Sequence, residues 1–545
     1  MAFADDRLYP PHRQQRAVAM GRRAAIASQS PLAAAAGLQM LQAGGNAVDA
    51  AIAIAAVECV TLPMLCGLGG EVFAIIRPPA GPARAINSSG AAPGALDADT
   101  FRRRGLNLPP FLGAESAAIP GAVAAWQEML DRWGTMPLKT LLAPATWYAE
   151  QGIPVDQRQT EIIALVASVL SQSAARVFLP QGRPPRAGEL IVQPALAQAL
   201  REVAEGGADA FYQGPVAERI VADLDAAGSL YTRQEFAAHR VESYEPLRAR
   251  YRGYDILETA PVSQGAVVLE ALRILDGFEF AGPLDPATIH LQVEAVRLAF
   301  ADRLRYLGDP RTTDFDVQSL LTDQFVARRS AAIDRQRAGP ALPAQRLDLT
   351  GETTSFVVAD GQGWGVSFIH SISAPGGSGF LAGGILLNNR IGRGFTLEEG
   401  HPNELAPGKR TMHTLNCYAI ERDGHLIYLG GTPGGDGQPQ WNVQVISDLL
   451  DFEMNVQEAA EWPRWMVYPG TDPSTMGNPR RLDLDGRYPE DLGQALAALG
   501  HPVREVSPWD PGRVGSAVQL IRLDPESGVL TAGSDPRGPG QAVVW

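Results

Sequence analysis

Thr353 opens a β-branched and aromatic run, Thr353-Thr354-Ser355-Phe356-Val357-Val358-Ala359, which predicts a strand headed by a hydroxyl. Asp360-Gly361-Gln362-Gly363 is a turn signal, and Trp364 to Ser371 predicts the returning strand. A two-residue loop would set Thr353 opposite His370, and a three-residue loop would set it opposite Ser371. Both registers are open from the sequence. Further on stand Gly376-Gly377, Asn388-Asn389 and Gly430-Gly431-Thr432-Pro433-Gly434-Gly435. Glycine runs let backbone N–H groups approach a ligand and point the same way. A nucleophile, a polar neighbour and backbone donors for an oxyanion are the parts of an acyl-transfer site. The same residues also read, without chemistry, as a hairpin followed by Gly-rich loops.

The elements that must position these groups are partly legible. Pro31–Leu41 and Asn46–Val60 are Ala-rich helical segments, with a C-cap signal at Ala43-Gly44-Gly45 and Asn46 as N-cap. Cys66-Gly67-Leu68-Gly69-Gly70 leads into the apolar run Val72 to Ile76, a buried strand. That Gly cluster is no nucleotide loop, since it precedes a strand and no Gly-Lys-Ser/Thr follows. A helix is expected over Gly121–Trp133, and helical periodicity runs over Gln193–Ala226 and Pro286–Tyr306. The last of these, around His290–Arg303, is the clearest amphipathic pattern. His290 and Glu294 sit at i and i+4, but no third metal ligand is evident. Arg328–Arg346 reads as a mobile linker. Asp483-Leu484-Asp485-Gly486 reads as a turn and lacks the glutamate of a calcium loop.

The 545 residues and 45% hydrophobic content suffice for a large core. A net charge of −14 argues against a nucleic-acid surface, because phosphate binding needs clustered Lys and Arg. Cys59, Cys66 and Cys417 form no zinc spacing and no CxxC, which suggests a reducing compartment. The polar start, Met1 to Arg16, lacks a signal-peptide core. The apolar stretch around Ala50–Ala56 is cut by Asp49 and Glu58 and is too short to span a bilayer. A cytoplasmic location is expected, without membrane or nucleic-acid partners.

The chain resembles the γ-glutamyltranspeptidase family. The motifs are Thr353-Thr354, Gly377-Ser378-Gly379, Gly384-Ile385-Leu386-Leu387-Asn388-Asn389, Pro407-Gly408-Lys409-Arg410, Pro433-Gly434-Gly435 and Ser534-Asp535-Pro536-Arg537. Gly44 to Ala51 with Gly67-Leu68-Gly69-Gly70 resembles the family's large-subunit opening, and Trp133 to Leu138 is also family-like. The resemblance implies an N-terminal-nucleophile hydrolase: an α/β, four-layer αββα sandwich made from one precursor cut between Glu352 and Thr353. Residues 1–352 and 353–545 would then form one domain as a heterodimer, with any higher oligomer left open.

It also implies catalysis by the Thr353 hydroxyl, with its freed α-amine as base, Thr354 and Ser371 aligning it, and Gly434 and Gly435 as oxyanion donors. No metal or cofactor is implied. Four departures bear on the substrate. Where the γ-glutamyl enzymes carry an arginine for the donor carboxylate, this chain has Ser89. Where they have an acid after Asn-Asn, it reads Arg390-Ile391-Gly392-Arg393. Where they have paired serines it has His413-Thr414, and a family asparagine is Ser373. Serine cannot replace a bidentate guanidinium. An acid lost and arginines gained suggest an anionic acyl group without an amine, such as a dicarboxylic monoamide held by Arg390 or Arg393. The resemblance is then nearer to the branch of glutaryl-type cephalosporin acylases and oxamate amidohydrolase. A true γ-glutamyltransferase and an uncleaved, non-catalytic binding homologue remain the alternatives. Solvated positions for both arginines are the bland reading.

Overall fold

The computed structural model describes residues 15–340, 353–471, 479–507, 509 and 517–545. Glu352, and with it the expected cut bond, lies outside the described residues. Fourteen strands build two seven-stranded sheets. In chain order they are β1 (Ala19–Gly21), β2 (Ala24–Ser28), β3 (Glu71–Arg77), β4 (Arg84–Ser88), β5 (Glu242–Tyr244), β6 (Leu247–Tyr251) and β7 (Tyr254–Glu258). The rest are β8 (Thr354–Asp360), β9 (Gly365–Ser371), β10 (Tyr418–Arg422), β11 (His425–Gly431), β12 (Gln519–Leu523), β13 (Leu530–Ser534) and β14 (Gln541–Val544). One sheet has the order β14-β2-β8-β9-β3-β4-β5 and the other β1-β13-β12-β11-β10-β7-β6. Every pairing within these two sheets is antiparallel.

Successive residues of a strand face opposite ways, and the two cores follow that parity. Phe356, Val358, Val366, Phe368, Val72 and Ala74 pack on helices α1 (Pro31–Gln42) and α2 (Ala47–Thr61). Val357, Ala359, Ile369, Phe73 and Ile75 point the other way, into a core shared with Ala419, Ile420, Leu429, Leu520 and Ile521 of the second sheet. Helices α3 (Gly265–Leu275), α4 (Pro286–Tyr306) and α5 (Gly437–Leu450) join that second core. Helices, sheet, sheet and helices give the expected four-layer αββα sandwich. A strand buried on both faces reads as near-continuous apolar sequence, as β8 does.

Asn46 caps α2 as expected, accepting from the Val48 and Asp49 amides and closing a capping box through Asp49. Asp49 also accepts from Thr135 and Met136 backbone N–H at 2.9 and 3.1 Å, which gives the Trp133–Leu138 motif its packing role. Three expectations need correction. Helix α4 is buried on nearly all sides rather than amphipathic, because its polar residues are neutralised in ion pairs, within the helix at Glu294–Arg297 and across to the start of α5 at Arg303–Asp436. Residues 328–331 belong to the helix Asp323–Ala331, and 334–340 are tied down by His290 on the Asp334 carbonyl and Arg297 on the Pro340 carbonyl. Within the described residues the stretch is therefore anchored, not a loose linker. Asp483 and Asp485 stand in a buried strand, Arg481–Asp485, paired with Arg481, Arg504, Arg487 and Arg537. Charge neutralisation put them in a strand where composition suggested a turn.

Candidate active site

The β8–β9 hairpin resolves the open register. Thr354 pairs with His370 and Ala359 with Gly365, the three-residue-loop alignment that sets Thr353 beside Ser371. A one-residue slip would have sent every side chain to the opposite face. In this register Thr353 and Ser371 share the inter-sheet face, while Thr354 and His370 look toward α2. Thr353 is buried, and its hydroxyl donates to Ser371 Oγ at 3.3 Å and accepts from Gln438 Nε2 at 3.4 Å. Gln438 sits on the first turn of α5, so that helix's N-terminus comes up against the candidate nucleophile.

The turn before α5 is Pro433-Gly434-Gly435-Asp436. Gly434 and Gly435 have φ of +123° and +57°, and a Cβ on Gly434 would collide with the Trp441 ring. Only glycine suits the first position. Neither glycine's N–H donates a hydrogen bond to any described residue. Asp436 pins the turn, bonding Arg303 at 3.0 Å and the Thr471 hydroxyl at 3.0 Å. Buried amides close the wall behind it. Gln264 Nε2 donates to the Thr414 carbonyl at 2.5 Å, Asn416 N–H donates to Gln438 Oε1 at 3.2 Å, and Asn442 holds Asn416 at 2.6 Å.

Beside Ser371 across the sheet stands Glu71, on the same face. Its carboxylate accepts from Arg390 Nε at 2.8 Å and from the Gly90 N–H at 3.0 Å, and His413 Nε2 lies 3.4 Å away. Burial pulls the Glu71 carboxyl upward, but His413 and Arg390 outweigh it and hold it at about 2. Burial in turn brings His413 down to about 4, so at neutral pH the charge opposing Glu71 is that of Arg390. Arg393 donates to the Ser373 carbonyl. Arg390 and Arg393 are thus buried, not solvated. Among the described residues Ser373 Oγ, Thr414 Oγ1 and both His413 ring nitrogens find no hydrogen-bond partner. Ser89 is buried, with its hydroxyl spent on Asn87 at 2.7 Å.

On the opposite face Thr354 Oγ1 donates to Glu58 Oε2 at 3.0 Å, His370 Nε2 meets the same oxygen at 2.8 Å, and Ser28 Oγ donates to Oε1 at 2.7 Å. Thr354 is thereby a backing residue for the strand rather than a lining one. Asn388 and Asn389 knit the loops around the site, Asn388 bonding Ala118 and Gly69 and Asn389 bonding Ala374 and Phe111. Sequence reasoning missed Glu58, Glu71 and Gln438. A lone acid inside an apolar helix, an acid heading an apolar strand and a glutamine three residues past the Gly pair were the available signals.

A threonine at the head of a central strand, inside an αββα sandwich, places the chain in the class of N-terminal-nucleophile hydrolases. Residues 33–545 match the family model described as gamma-glutamyltranspeptidase. The chain belongs to that family. It is 37% identical to a glutathione hydrolase-like proenzyme of Bacillus subtilis over 96% of this chain and 99% of the other. It is 35% identical to an oxamate amidohydrolase proenzyme of Klebsiella pneumoniae, over 95% and 97%. The crystal structure of a cephalosporin acylase from Bacillus halodurans superposes with a TM-score of 0.90 at 35% identity, covering 100% of this chain and 99% of that one. Among the described residues no helix is long and apolar enough to cross a membrane.

Proposed function

We propose that this protein is a self-processing amidohydrolase that forms an acyl-enzyme on Thr353 and acts on a small anionic acyl amide. The carrying observation is the Thr353 hydroxyl, hydrogen-bonded to Ser371 and Gln438 at the end of α5, next to two glycines whose N–H groups have no described partner.

In the precursor, Thr353 Oγ attacks the Glu352 carbonyl, the peptide becomes an ester, and water hydrolyses it to leave chains 1–352 and 353–545. The freed α-amine has an ordinary pKa of about 7.7–8.0, so it serves as the base for its own hydroxyl near neutral pH. Thr353 Oγ then attacks the substrate amide. The Gly434 and Gly435 N–H groups, at the positive end of a fourteen-residue helix, stabilise the oxyanion, each worth about 2.7–4 kcal/mol. The amine leaves with the transferred proton, and water releases the acid.

The acyl preference rests on what surrounds Glu71. Two buried guanidinium groups, Arg390 and Arg393, lie with one buried carboxylate among unpartnered hydroxyls and a histidine. The site's acids, Glu71 and Asp436, are already engaged by Arg390 and Arg303, which disfavours a donor carrying an ammonium group. Similarity to an oxamate amidohydrolase and a cephalosporin acylase supports the same direction. Assaying γ-glutamyl-anilide, a glutaryl amide and oxamate in parallel, with and without acceptor dipeptide, tests the reading. Turnover of the last two without acceptor is expected. Dominant γ-glutamyl transfer would overturn it.

A further inference from the structure

We infer that Cys59, Cys66 and His370 form a binding site for a thiophilic d10 cation, on the face of the hairpin opposite to Thr353. The two cysteines are seven positions apart and the histidine is some three hundred residues on, so no spacing motif announces them. The fold brings one ligand atom of each within 4.8 Å of the others, and all three side chains are buried. Zinc–sulfur and zinc–nitrogen bonds of about 2.3 and 2.0–2.1 Å require ligand atoms roughly 3.5–4 Å apart, within reach of small side-chain movements. Two soft sulfurs and an imidazole select Zn2+ or Cu+ over Mg2+ or Ca2+.

The surroundings are those of a built site. Glu58 takes the His370 Nε2 at 2.8 Å, which fixes the ring as metal-bound histidines are fixed by an outer carboxylate. The other nitrogen, Nδ1, is buried and has no hydrogen-bond partner among the described residues. A cavity on this side is lined by both cysteines together with Pro63, Leu68, Phe178 and Gln193. A second cluster, His290, Glu294 and His501, marks the contrast. There His290 spends one nitrogen on His501 at 2.7 Å and the other on the Asp334 carbonyl at 2.8 Å, and Arg297 neutralises Glu294. In that cluster both His290 nitrogens are thus occupied, and of its buried side-chain atoms only Glu294 Oε1 is left without a hydrogen-bond partner among the described residues.

Binding would displace the two thiol protons and the His370 Nδ1 proton to solvent and form two metal–sulfur bonds and one metal–nitrogen bond, with Nε2–H left on Glu58. His370 directly precedes Ser371, and Glu58 also holds Thr354, so the ion would brace the nucleophile's strand from behind. The test uses the full-length reduced protein, stripped with chelator and dialysed against Zn2+ alone. One equivalent is expected to be retained, Co2+ in its place should give sulfur-to-cobalt charge-transfer absorption, and thiol titration should show two of three cysteines protected. Cys59→Ser and Cys66→Ser should each weaken retention by about 10-fold or more, with the melting transition of Cys66→Ser confirming that it folds. Absence of Zn2+ binding by the reduced wild type would overturn the site. So would retention unchanged in the Cys59→Ser/Cys66→Ser double variant.

Discussion

The β8–β9 hairpin carries two buried glutamates against its two faces, and they are treated differently. Glu58, behind the strand, is satisfied by neutral or titratable donors: Ser28, Thr354 and His370. Glu71, on the face shared with Thr353, is matched by a permanent cation, Arg390. A buried charge is tolerable only when paired and fully hydrogen-bonded. The back face therefore uses its acid to hold the strand's hydroxyl and imidazole in place. The front face uses a full ion pair, which also brings a guanidinium to the acyl pocket proposed above.

The most damaging way to probe that contrast is to unpair the front. Arg390→Met leaves Glu71 buried without its cation and should cost about 3–5 kcal/mol in denaturant-unfolding free energy. Adding Glu71→Gln should return much of that loss, a coupling read from the double-mutant cycle. If Arg390→Met alone is neutral, the front face is not an ion-pair site. Arg393→Met keeps Glu71 paired and should act on substrate instead. It removes a charged hydrogen bond worth about 1.5–3 kcal/mol, so KM for a glutaryl amide should rise about 10-fold or more. Back-face changes should look different. Glu58→Gln keeps much of the hydrogen bonding and should slow precursor cleavage and kcat together, with KM nearly unchanged; a KM effect would erase the distinction.

Acid should act on the front face first. His413 is held at about 4 in the fold against 6.5 when exposed, so the unfolded chain binds more protons between those values. Stability from this group is full above about pH 6.5 and is lost as pH falls toward 4, amounting to about 3 kcal/mol at most. Glu71, held at about 2 against 4.5, adds a further loss as pH falls from about 4.5 toward 2. Urea unfolding as a function of pH should show both losses, and His413→Asn should remove the first. The smallest effect expected is that of Ser371→Ala, which forfeits one hydrogen bond to the nucleophile, about 1 kcal/mol or a 5- to 10-fold fall in kcat/KM.

Much of the architecture could be read from the chain because local chemistry decides it. Asn46 before an Ala-rich run makes a capped helix, and the β-branched run after Thr353 makes the strand Thr354–Asp360, whatever surrounds them. The hairpin alone could not choose between His370 and Ser371, because both loop lengths suit Asp-Gly-Gln-Gly; the parity of the two cores chose. What stayed hidden is tertiary. Nothing local indicates that Cys59 and Cys66 meet His370, that His501 completes a cluster with His290 and Glu294, or that Glu71 receives Arg390 across 319 positions. Asp483 and Asp485 looked like turn residues because two of the four arginines that pair with them, Arg504 and Arg537, come from elsewhere in the chain.

The account rests on Thr353 becoming a nucleophile with a free amine of its own, and the mass of the purified protein tests this directly. Wild-type material should separate under denaturing conditions into one chain ending at Glu352 and one beginning at Thr353, while Thr353→Ala should stay a single 545-residue chain without amidase turnover. A wild type that remains uncut, or a Thr353→Ala variant that still hydrolyses amides at the wild-type rate, would contradict it.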